Sequence, residues 1–339
     1  MKVLFLQAKE WEVEYIQEQM QSLSNIEQVD FIVEPVDEVP VEKLLEYDVI
    51  SPFIHSPFSK ELLDKLPNLK LIPTRSTGFD HVDLDAAAAK NIVVCNVPSY
   101  GVNTVAEQAF ALLLSLSRKI PESIDRTRES DFDRDGLQGF DLAGKTMGVV
   151  GTGRIGYHTV KIANGFGMKV IAYDPYPNDK VKEEFGVEYM ELHDLLAESD
   201  VVSLHVPYMK ETHHLLDAQA FSKMKKGSVL INTARGPLVD NDALIDALKD
   251  GTLAGAGLDV MEGEELLEDE LELLDNKKVS KESLETLLEG HVILTFDNVI
   301  VTPHNAFNTR EALMRIIDTT IGNIKGFADG APENVVEKK

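Results

Sequence analysis

Three charged side chains follow apolar, strand-like segments of the chain. Arg235 ends the run Leu-Ile-Asn-Thr-Ala-Arg, Glu264 comes four residues after Leu-Asp-Val, and His304 follows Val-Ile-Val-Thr-Pro. These residue types suit hydride transfer to a 2-oxo acid. Arginine binds a carboxylate with a planar fork, histidine protonates a carbonyl oxygen, and a nearby carboxylate favours the imidazolium. The spacing alone also fits a surface arginine, an acidic-loop glutamate and a satisfied loop histidine.

A glycine-rich segment follows another apolar run, Thr146–Val150. Its sequence, Gly151-Thr152-Gly153-Arg154-Ile155-Gly156, has the pattern G-x-G-x-x-G between a predicted strand and a predicted helix. In such a loop Gly151 allows the tight turn, Gly153 lets the backbone approach a pyrophosphate, and Gly156 lets the helix pack closely. Arg154 could add a phosphate contact. The pattern predicts a dinucleotide site at a helix N-terminus.

The next strand-like run ends at Asp174, and 174 − 156 gives 18 residues after the last glycine. This is where a carboxylate binds the ribose hydroxyls of the adenosine. A carboxylate repels a 2′-phosphate, and no basic residue follows before Lys180. We therefore expect NAD rather than NADP. The alternative is an ordinary glycine turn beside a surface aspartate.

Strand-like and helix-like segments alternate along the chain, and they must position these candidate residues. Continuous apolar strands separated by helices predict a parallel sheet covered on both faces. The predicted strands are Val3–Leu6, Phe31–Val33, Val49–Pro52, Leu69–Pro73 and Ile92–Val97 in the first hundred residues, then Thr146–Val150, Val170–Tyr173, Val201–His205, Val229–Asn232, Gly255–Asp259 and Val299–Thr302. A long helix over 103–120 has capping-box spacing at Thr104 and Glu107, and a final helix over 309–328 has it at Asn308 and Glu311.

Composition narrows the class of protein. The chain has 33 basic and 58 acidic residues, a formal net charge of −25, which argues against nucleic acid as a partner. Cys95 is the only cysteine, so the chain cannot form an internal disulfide. It is interpreted as a buried small hydrophobe. We expect no signal peptide and no membrane span, because the longest apolar segment, Ala109–Leu116, is short. The predicted location is therefore the cytoplasm.

Two further segments have an interpretation without chemistry. His213 and His214 are adjacent, but no second ligand pair has metal-site spacing, so they are interpreted as loop histidines and no metal is expected. The stretch Glu262–Glu289 is strongly acidic and alternates Glu with Leu. It is interpreted as a solvated amphipathic helix or a long loop.

Over nearly its whole length the sequence resembles the D-isomer-specific 2-hydroxyacid dehydrogenases. The matching segments are Arg75–Asp83, Asn103–Glu107, the glycine loop, Asn232–Gly236, Gly257–Val260 and Thr302–His304. The resemblance implies that Arg235 binds the substrate carboxylate, that His304 is the acid/base, and that Glu264, five residues beyond Asp259, pairs with His304. Asp259 would lie near the nicotinamide and tune the charge of the site.

The resemblance also implies further contacts. Thr77 and Gly78 would approach the substrate carboxylate with their backbone, and Tyr100 and Phe307 would line the substrate pocket. The implied cofactor contacts outside the glycine loop and Asp174 are Thr104, His205, Val206, Pro207, Thr212, Thr233, Ala234 and Asp259.

For the fold, the resemblance implies α/β architecture with two doubly wound parallel-sheet domains. A flavodoxin-like substrate domain would comprise 1–101 and 304–339, a Rossmann cofactor domain would comprise 102–303, and the active site would be the cleft between them. The helix at Asn103 resembles the family's dimer element, so a homodimer is expected.

The segment Pro303–Phe307 is closest to the D-lactate branch, which favours a small 2-oxo acid as substrate. Gln108 stands where many members have histidine, Met261 replaces a frequent aromatic residue, and the insert from 265 to 289 is longer and more acidic than usual. The alternatives are a hydroxypyruvate/glyoxylate or phosphoglycerate dehydrogenase, and a non-catalytic NAD-sensing interaction protein of the corepressor kind.

Overall fold

The computed structural model describes residues 1–21, 23, 25–53, 56–268 and 280–336. The chain divides into two compact units. The first unit is Met1–Tyr100 with Asn308–Lys339, and the second unit is Gly101–Phe307. The chain therefore leaves the first unit and returns to it after completing the second.

The strands of the described residues alternate with helices throughout both units. The strands are β1 Lys2–Phe5, β2 Gln28–Phe31, β3 Val49–Ser51, β4 Leu71–Pro73, β5 Val93–Cys95, β6 Thr146–Val150, β7 Lys169–Tyr173, β8 Glu188–Tyr189, β9 Val201–Leu204, β10 Ser228–Asn232, β11 Leu253–Leu258 and β12 Val299–Val301. The helices are α1 Glu10–Gln21, α2 Val41–Leu44, α3 Lys60–Asp64, α4 Leu84–Ala89, α5 Val102–Ser117, α6 Ile120–Arg128, α7 Arg154–Gly165, α8 Asp179–Phe185, α9 Leu192–Glu198, α10 Ala218–Phe221, α11 Asn241–Lys249, α12 Glu264–Glu268, α13 Lys281–Leu294 and α14 Arg310–Ala328. In the described part of the chain, no helix is both long enough and apolar enough to span a membrane.

Each unit is built on one parallel sheet. The first has the order β2-β1-β3-β4-β5, and the second has the order β12-β11-β10-β9-β6-β7-β8. All pairings between these strands are parallel. Each order reverses once, between β1 and β3 and between β6 and β9, as in doubly wound sheets. The predicted α/β class with two doubly wound sheets is confirmed.

The central strands are buried on both faces, which explains their continuous apolar sequences. In β9, for example, Val201, Val202 and Leu204 are fully buried. Ser203 between them is also buried, and its hydroxyl oxygen lies 2.9 Å from Nε2 of His205. Helices cover both faces because connections between parallel strands require crossovers. The strand ends can therefore carry polar side chains without disturbing the core.

Several predicted boundaries were wrong. The second strand covers Gln28–Phe31 instead of 31–33, because the alternating segment Gln-Val-Asp-Phe pairs in register with β1. The long helix begins at Val102 with Gly101 as its N-cap and has no side-chain cap, so Thr104 lies inside its first turn. It ends at Ser117, before Lys119 adopts a φ of +49° and α6 begins.

The final helix is capped one residue later than predicted. Thr309 accepts a hydrogen bond from the Ala312 backbone N–H at 3.2 Å, so Asn308 is not its cap. The acidic stretch is partly described: Glu264–Glu268 and Lys281–Leu294 are helical. Residues 269–279 of the predicted insert lie outside the described residues.

Cys95 confirms its interpretation as a buried hydrophobe. Its side chain is inaccessible in β5, and burial raises the pKa of its thiol to about 11. The thiolate is the nucleophilic form. Cys95 is therefore an inert core residue at neutral pH.

The first unit contains a buried ion pair, and loss of either partner should destabilise the unit. Arg75 is 2 % exposed, donates to Glu12 at 3.0 Å and to the carbonyl of Leu6, and lies 5.4 Å from the centre of the Phe53 ring. Desolvation lowers the pKa of Arg75, whereas the contact with Glu12 opposes that change.

Replacing Arg75 by methionine should lower the free energy of unfolding by about 3–5 kcal/mol, because it leaves the Glu12 carboxylate buried without a partner. Urea unfolding measures this loss. The control is Lys60→Met, which removes an exposed pair and should cost less than about 1 kcal/mol. Equal effects of the two substitutions would contradict the prediction.

Candidate active site

The three candidate catalytic side chains follow three neighbouring strands. Arg235 comes three residues after β10, Glu264 begins α12 beyond β11, and His304 comes three residues after β12. These strands lie side by side in the second sheet, and all run in the same direction. The carboxyl ends of such strands form one edge of the sheet, where ligands of doubly wound folds bind.

His304 and Glu264 are in direct contact. Nδ1 of His304 lies 2.8 Å from Oε1 of Glu264, and both side chains are about one-third exposed. The other carboxylate oxygen of Glu264 accepts a hydrogen bond from the Met261 backbone N–H at 3.2 Å. A carboxylate can only accept, so the hydrogen of this contact lies on Nδ1. Nε2 is then the ring nitrogen that is left for a contact with a ligand.

The backbone of His304 adopts an uncommon conformation. Its φ is +46°, in the left-handed region that non-glycine residues seldom occupy. Its N–H donates to the carbonyls of Asp259 at 2.8 Å and Thr302 at 2.9 Å. Such strain persists where surrounding contacts hold it, and it is frequent at functional sites.

Asp259 provides most of those contacts. Its side chain is fully buried and accepts hydrogen bonds from the Asn305 N–H at 2.9 Å, the Ala306 N–H at 2.7 Å and the Thr302 hydroxyl. Burial raises the pKa of Asp259, and the hydrogen bonds oppose that shift. The carboxylate thus fixes the residues on both sides of His304. The role expected for Asp259 was near the nicotinamide alone, and these hydrogen bonds to the loop of His304 were not predicted.

Gln108 extends this network. Its Nε2 donates to the Thr302 hydroxyl oxygen at 3.3 Å, and that hydroxyl donates to Asp259. At the level of the sequence, the only signal for this position was that glutamine stands where the family resemblance leads us to expect histidine. Its amide connects α5 with the loop that carries His304.

Arg235 is held by its own turn. The Asn232 side chain donates to the Arg235 carbonyl at 2.9 Å and accepts from the Ala234 N–H at 3.0 Å. Among the described residues the Arg235 guanidinium donates only to the Ala234 carbonyl, at 2.7 Å, which leaves its other N–H groups for a ligand. Arg235 and Glu264 line the same cavity, of about 330 Å³. The role of Asn232 in bracing this turn was not predicted from the sequence.

The glycine loop has the geometry that its pattern predicts. Gly151 has a φ of +95°, and a Cβ there would lie 2.8 Å from the His205 carbonyl carbon. A Cβ on Gly156 would lie 2.0 Å from the Gly151 carbonyl oxygen, so the helix requires glycine here because it begins against the turn itself. A Cβ on Gly153 would meet nothing within 4 Å. The open position beside Gly153 is where a phosphate can approach.

Asp174 lies at the carboxyl end of β7 and contacts the glycine loop directly. One oxygen of its carboxylate accepts from the Thr152 N–H at 2.7 Å and from the Thr152 hydroxyl at 3.0 Å. The other accepts from the Tyr176 N–H at 2.9 Å. Asp174 therefore orders the loop as well as providing a negative charge at its edge.

Several features fit an NAD molecule at this edge. The Thr233 hydroxyl is buried without a hydrogen-bond partner among the described residues, which suggests a ligand group as its partner. The Arg154 side chain is exposed at the N-terminus of α7. Desolvation lowers the pKa of His205 to about 3, so this ring is neutral and adds no charge to this edge of the sheet.

Four other predicted cofactor positions lie in α5 and in the loop that follows β9. Thr104 is buried in the first turn of α5. Val206 and Pro207 follow β9, and the Thr212 hydroxyl donates to the Pro207 carbonyl at 2.9 Å. Thr212 therefore closes the loop that begins after β9.

The predicted substrate contacts fall in both units. Thr77, Gly78 and Tyr100 belong to the first unit, where the Thr77 hydroxyl donates to the Val97 carbonyl at 2.7 Å and the Gly78 carbonyl accepts from Ser76. Phe307 ends the second unit, three residues after His304. Their roles toward substrate remain predictions.

Comparison with known proteins identifies the class. Residues 110–306 match the NAD-binding domain of the D-isomer specific 2-hydroxyacid dehydrogenases. The chain belongs to this family and is an NAD-dependent oxidoreductase, which confirms the predicted family and cofactor.

Individual relatives match over nearly the whole chain. D-lactate dehydrogenase of Escherichia coli is 37 % identical over 97 % of this chain and 98 % of its own. Glyoxylate reductase of Thermococcus litoralis is 38 % identical over 88 % and 86 %. The crystal structure of Aquifex aeolicus D-lactate dehydrogenase with NAD and lactic acid is 40 % identical, covers 99 % of both chains and superposes with a TM-score of 0.87.

Proposed function

We propose that this protein reduces a small 2-oxo acid, with pyruvate as the leading candidate, to the D-2-hydroxy acid with NADH, and catalyses the reverse reaction with NAD. The observation that carries the proposal is the contact of 2.8 Å between His304 Nδ1 and Glu264, at the same sheet edge as the glycine loop. The D-lactate dehydrogenases of E. coli and A. aeolicus support lactate as the product. The T. litoralis glyoxylate reductase keeps glyoxylate in the candidate panel.

In this mechanism Arg235 binds the carboxylate of the 2-oxo acid through its guanidinium. The reduced nicotinamide supplies the hydride to C2 when the cofactor is bound. His304 transfers the Nε2 proton to the carbonyl oxygen, which becomes the hydroxyl of the product. Glu264 keeps the Nδ1 proton in place and compensates the positive charge of the imidazolium before transfer. In the reverse reaction His304 accepts the hydroxyl proton.

The protein binds NAD, and we assign the parts of the cofactor to residues of the glycine loop and of the neighbouring strand ends. The N–H groups at the start of α7 and Arg154 would bind the pyrophosphate, with Gly153 leaving space for it. Asp174 would accept hydrogen bonds from the adenosine ribose, and the Thr233 hydroxyl would bond to a cofactor polar group. The Asp259 carboxylate would tune the charge near the nicotinamide, and it would also hold the loop that carries His304 in place.

A substrate panel tests the proposal. NADH oxidation is measured with pyruvate, glyoxylate, hydroxypyruvate and longer 2-oxo acids, with NADPH in parallel. We expect turnover with at least one small 2-oxo acid, and with pyruvate in particular. Binding of NADH without turnover of any 2-oxo acid would overturn the assignment and indicate a non-catalytic NAD-sensing protein.

The cofactor preference should depend on the charge of Asp174. Asp174→Asn keeps an acceptor for Thr152 but removes the negative charge, so the ratio of kcat/KM for NADPH over NADH should rise by about tenfold or more. Like charges about 4 Å apart repel by about 1–4 kcal/mol near a protein surface, and 1.4 kcal/mol corresponds to tenfold. Asp179→Asn, a few residues along the chain at the start of α8, is the control. An unchanged ratio in Asp174→Asn would disprove the role.

We also propose that the protein works in the cytoplasm as a homodimer. Ile120 and Ile124 of α6 are each 43 % exposed, and these apolar side chains support association through the segment around α5 and α6. A single buried cysteine suits a reducing compartment. Light scattering on the purified protein should give twice the mass of one chain, and a monomer at micromolar concentration would contradict the dimer.

A further inference from the structure

Two histidines of the second unit that the proposed reaction does not use converge with a carboxylate from a different loop. His213 and His214 follow the short 3₁₀ turn Lys210–Thr212, and Glu262 lies between β11 and α12. One ligand atom of each residue lies within 4.8 Å of those of the other two. These residues are separated by nearly fifty positions in sequence, so the folded loops bring them together.

His214 is the ordered centre of this cluster. Its Nε2 lies 2.9 Å from Oε2 of Glu262, and its backbone N–H donates to the Pro237 carbonyl at 2.9 Å. The backbone φ is +48°, in the left-handed region. The imidazole of His213 is stacked on it with ring centroids 3.9 Å apart. One nitrogen of each ring and a carboxylate oxygen therefore lie within 4.8 Å of one another, with the two rings face to face.

A second carboxylate lies behind His214. Oδ2 of Asp240 is 3.5 Å from Nδ1 of His214, on the opposite side of the ring from Glu262. Histidine ligands of metals usually donate their second N–H to a carboxylate or carbonyl, which fixes the tautomer and the ring orientation. Asp240 is itself held as the N-cap of α11, where it accepts from the Ala243 N–H at 3.0 Å.

We propose that His213, His214 and Glu262 form a binding site for a divalent cation of the zinc type. Two imidazoles and one carboxylate are a donor set that Zn²⁺ accepts, with water completing a tetrahedral site. Metal–ligand distances of about 2.0–2.2 Å place ligand atoms about 3.3 Å apart. The His214–Glu262 pair, at 2.9 Å, is slightly closer than this spacing. The exposed His213 side chain would have to turn out of its stack with His214 and away from the Tyr208 hydroxyl, which lies 3.4 Å from its Nδ1, to direct a nitrogen at the same ion. Mg²⁺ and Ca²⁺ prefer all-oxygen sites and should bind poorly.

The site would connect two loops that matter for the proposed catalysis. Glu262 precedes Glu264, the partner of His304, by two residues, whereas His214 is bonded to the turn that follows Arg235. A bound cation would hold the residues 261–264 against the loop 208–214. Zinc binding itself does not depend on the dehydrogenase reaction, so failure of one proposal leaves the other intact.

To test this proposal, zinc is titrated into the untagged, chelator-treated protein. Binding is measured by calorimetry or by competition with a chromophoric chelator. Wild-type protein should bind about one Zn²⁺ per chain and show a higher Tm with zinc. His213→Ala should bind at least about tenfold more weakly and lose the Tm shift. Asp240→Asn keeps a helix cap and should weaken binding by about 10–100-fold.

Two further variants locate the site. His193→Ala removes an exposed histidine of α9 outside the cluster and should bind zinc as the wild type does. His304→Ala should also retain zinc binding, which separates this site from the His304–Glu264 pair. No uptake at 100-fold molar excess of zinc, equal affinity in His213→Ala, or loss of binding only in His304→Ala would overturn the proposal. Mg²⁺ binding as tight as that of Zn²⁺ would overturn the assigned class of cation.

Discussion

Replacing His304 by alanine should lower kcat/KM for 2-oxo acid reduction by about 10²–10⁴-fold, the usual contribution of a positioned general acid. The proton for the carbonyl oxygen would then have to come from water. Because His304 contacts Glu264 and the backbone of Asp259, and not the glycine loop, NADH affinity should stay within about threefold of the wild type. Steady-state kinetics and NADH fluorescence measure the two quantities separately.

Two variants make this result specific. His304→Gln retains a side chain that can donate to Glu264 but cannot supply a mobile proton, so its activity should be nearly as low. His193→Ala is the matched control, because it removes an exposed histidine in α9 and should leave kcat/KM unchanged. Turnover of His304→Ala close to that of the wild type would exclude His304 as the acid.

Replacing Arg235 by glutamine should reduce kcat/KM for the 2-oxo acid by about 10²–10⁴-fold. Two charge-assisted hydrogen bonds to the substrate carboxylate are worth about 1.5–3 kcal/mol each, and each 1.4 kcal/mol is a factor of ten. The substitution should leave the turn intact, since within the part of the chain that the structure describes the guanidinium donates only to the neighbouring Ala234 carbonyl. Turn geometry is maintained by Asn232.

Arg235→Lys should recover part of the loss, because lysine keeps the positive charge but not the planar fork. Arg128→Gln, on the exposed face of α6, is the control and should have wild-type kinetics. A neutral compound with an amide in place of the carboxylate should react equally poorly with wild type and Arg235→Gln. If Arg235→Gln discriminated between acid and amide as strongly as the wild type does, another residue would have to bind the carboxylate.

The parts of the site that sequence predicts best are those with a local physical requirement. Gly151 and Gly156 are fixed by contacts with backbone atoms, so no other residue type fits the turn. Asp174 lies at the end of an apolar strand, where the spacing from the loop is set by one helix and one strand. The apolar strands were equally visible, because burial on both faces requires continuous hydrophobic residues.

The contacts missed by sequence analysis are long-range. The hydrogen bonds from Gln108 to Thr302 and from Thr302 to Asp259 join residues about 194 and 43 positions apart, and no local pattern marks them. The caps of α5 and α14 were displaced because several residues near each start can cap a helix, and the packing of the helix decides which one does.

The same limit explains why the cluster that His213 and His214 form with Glu262 was not predicted from the sequence. Their spacing in sequence gave no second ligand pair, and the interpretation as loop histidines followed from that absence. The carboxylate of Glu262 comes from another loop, and only the folded chain places it 2.9 Å from His214. Sequence spacing alone gives no sign of a cluster that forms only when two distant loops fold together.

The most direct test of the central claim is the fate of the hydride and the configuration of the product. The protein is incubated with pyruvate and NADH carrying deuterium at C4 of the nicotinamide, in both diastereomeric forms. The account predicts D-lactate, with deuterium at C2 from one of the two forms and none from the other. L-lactate, a racemic product, or lactate without deuterium at C2 from either form would contradict it.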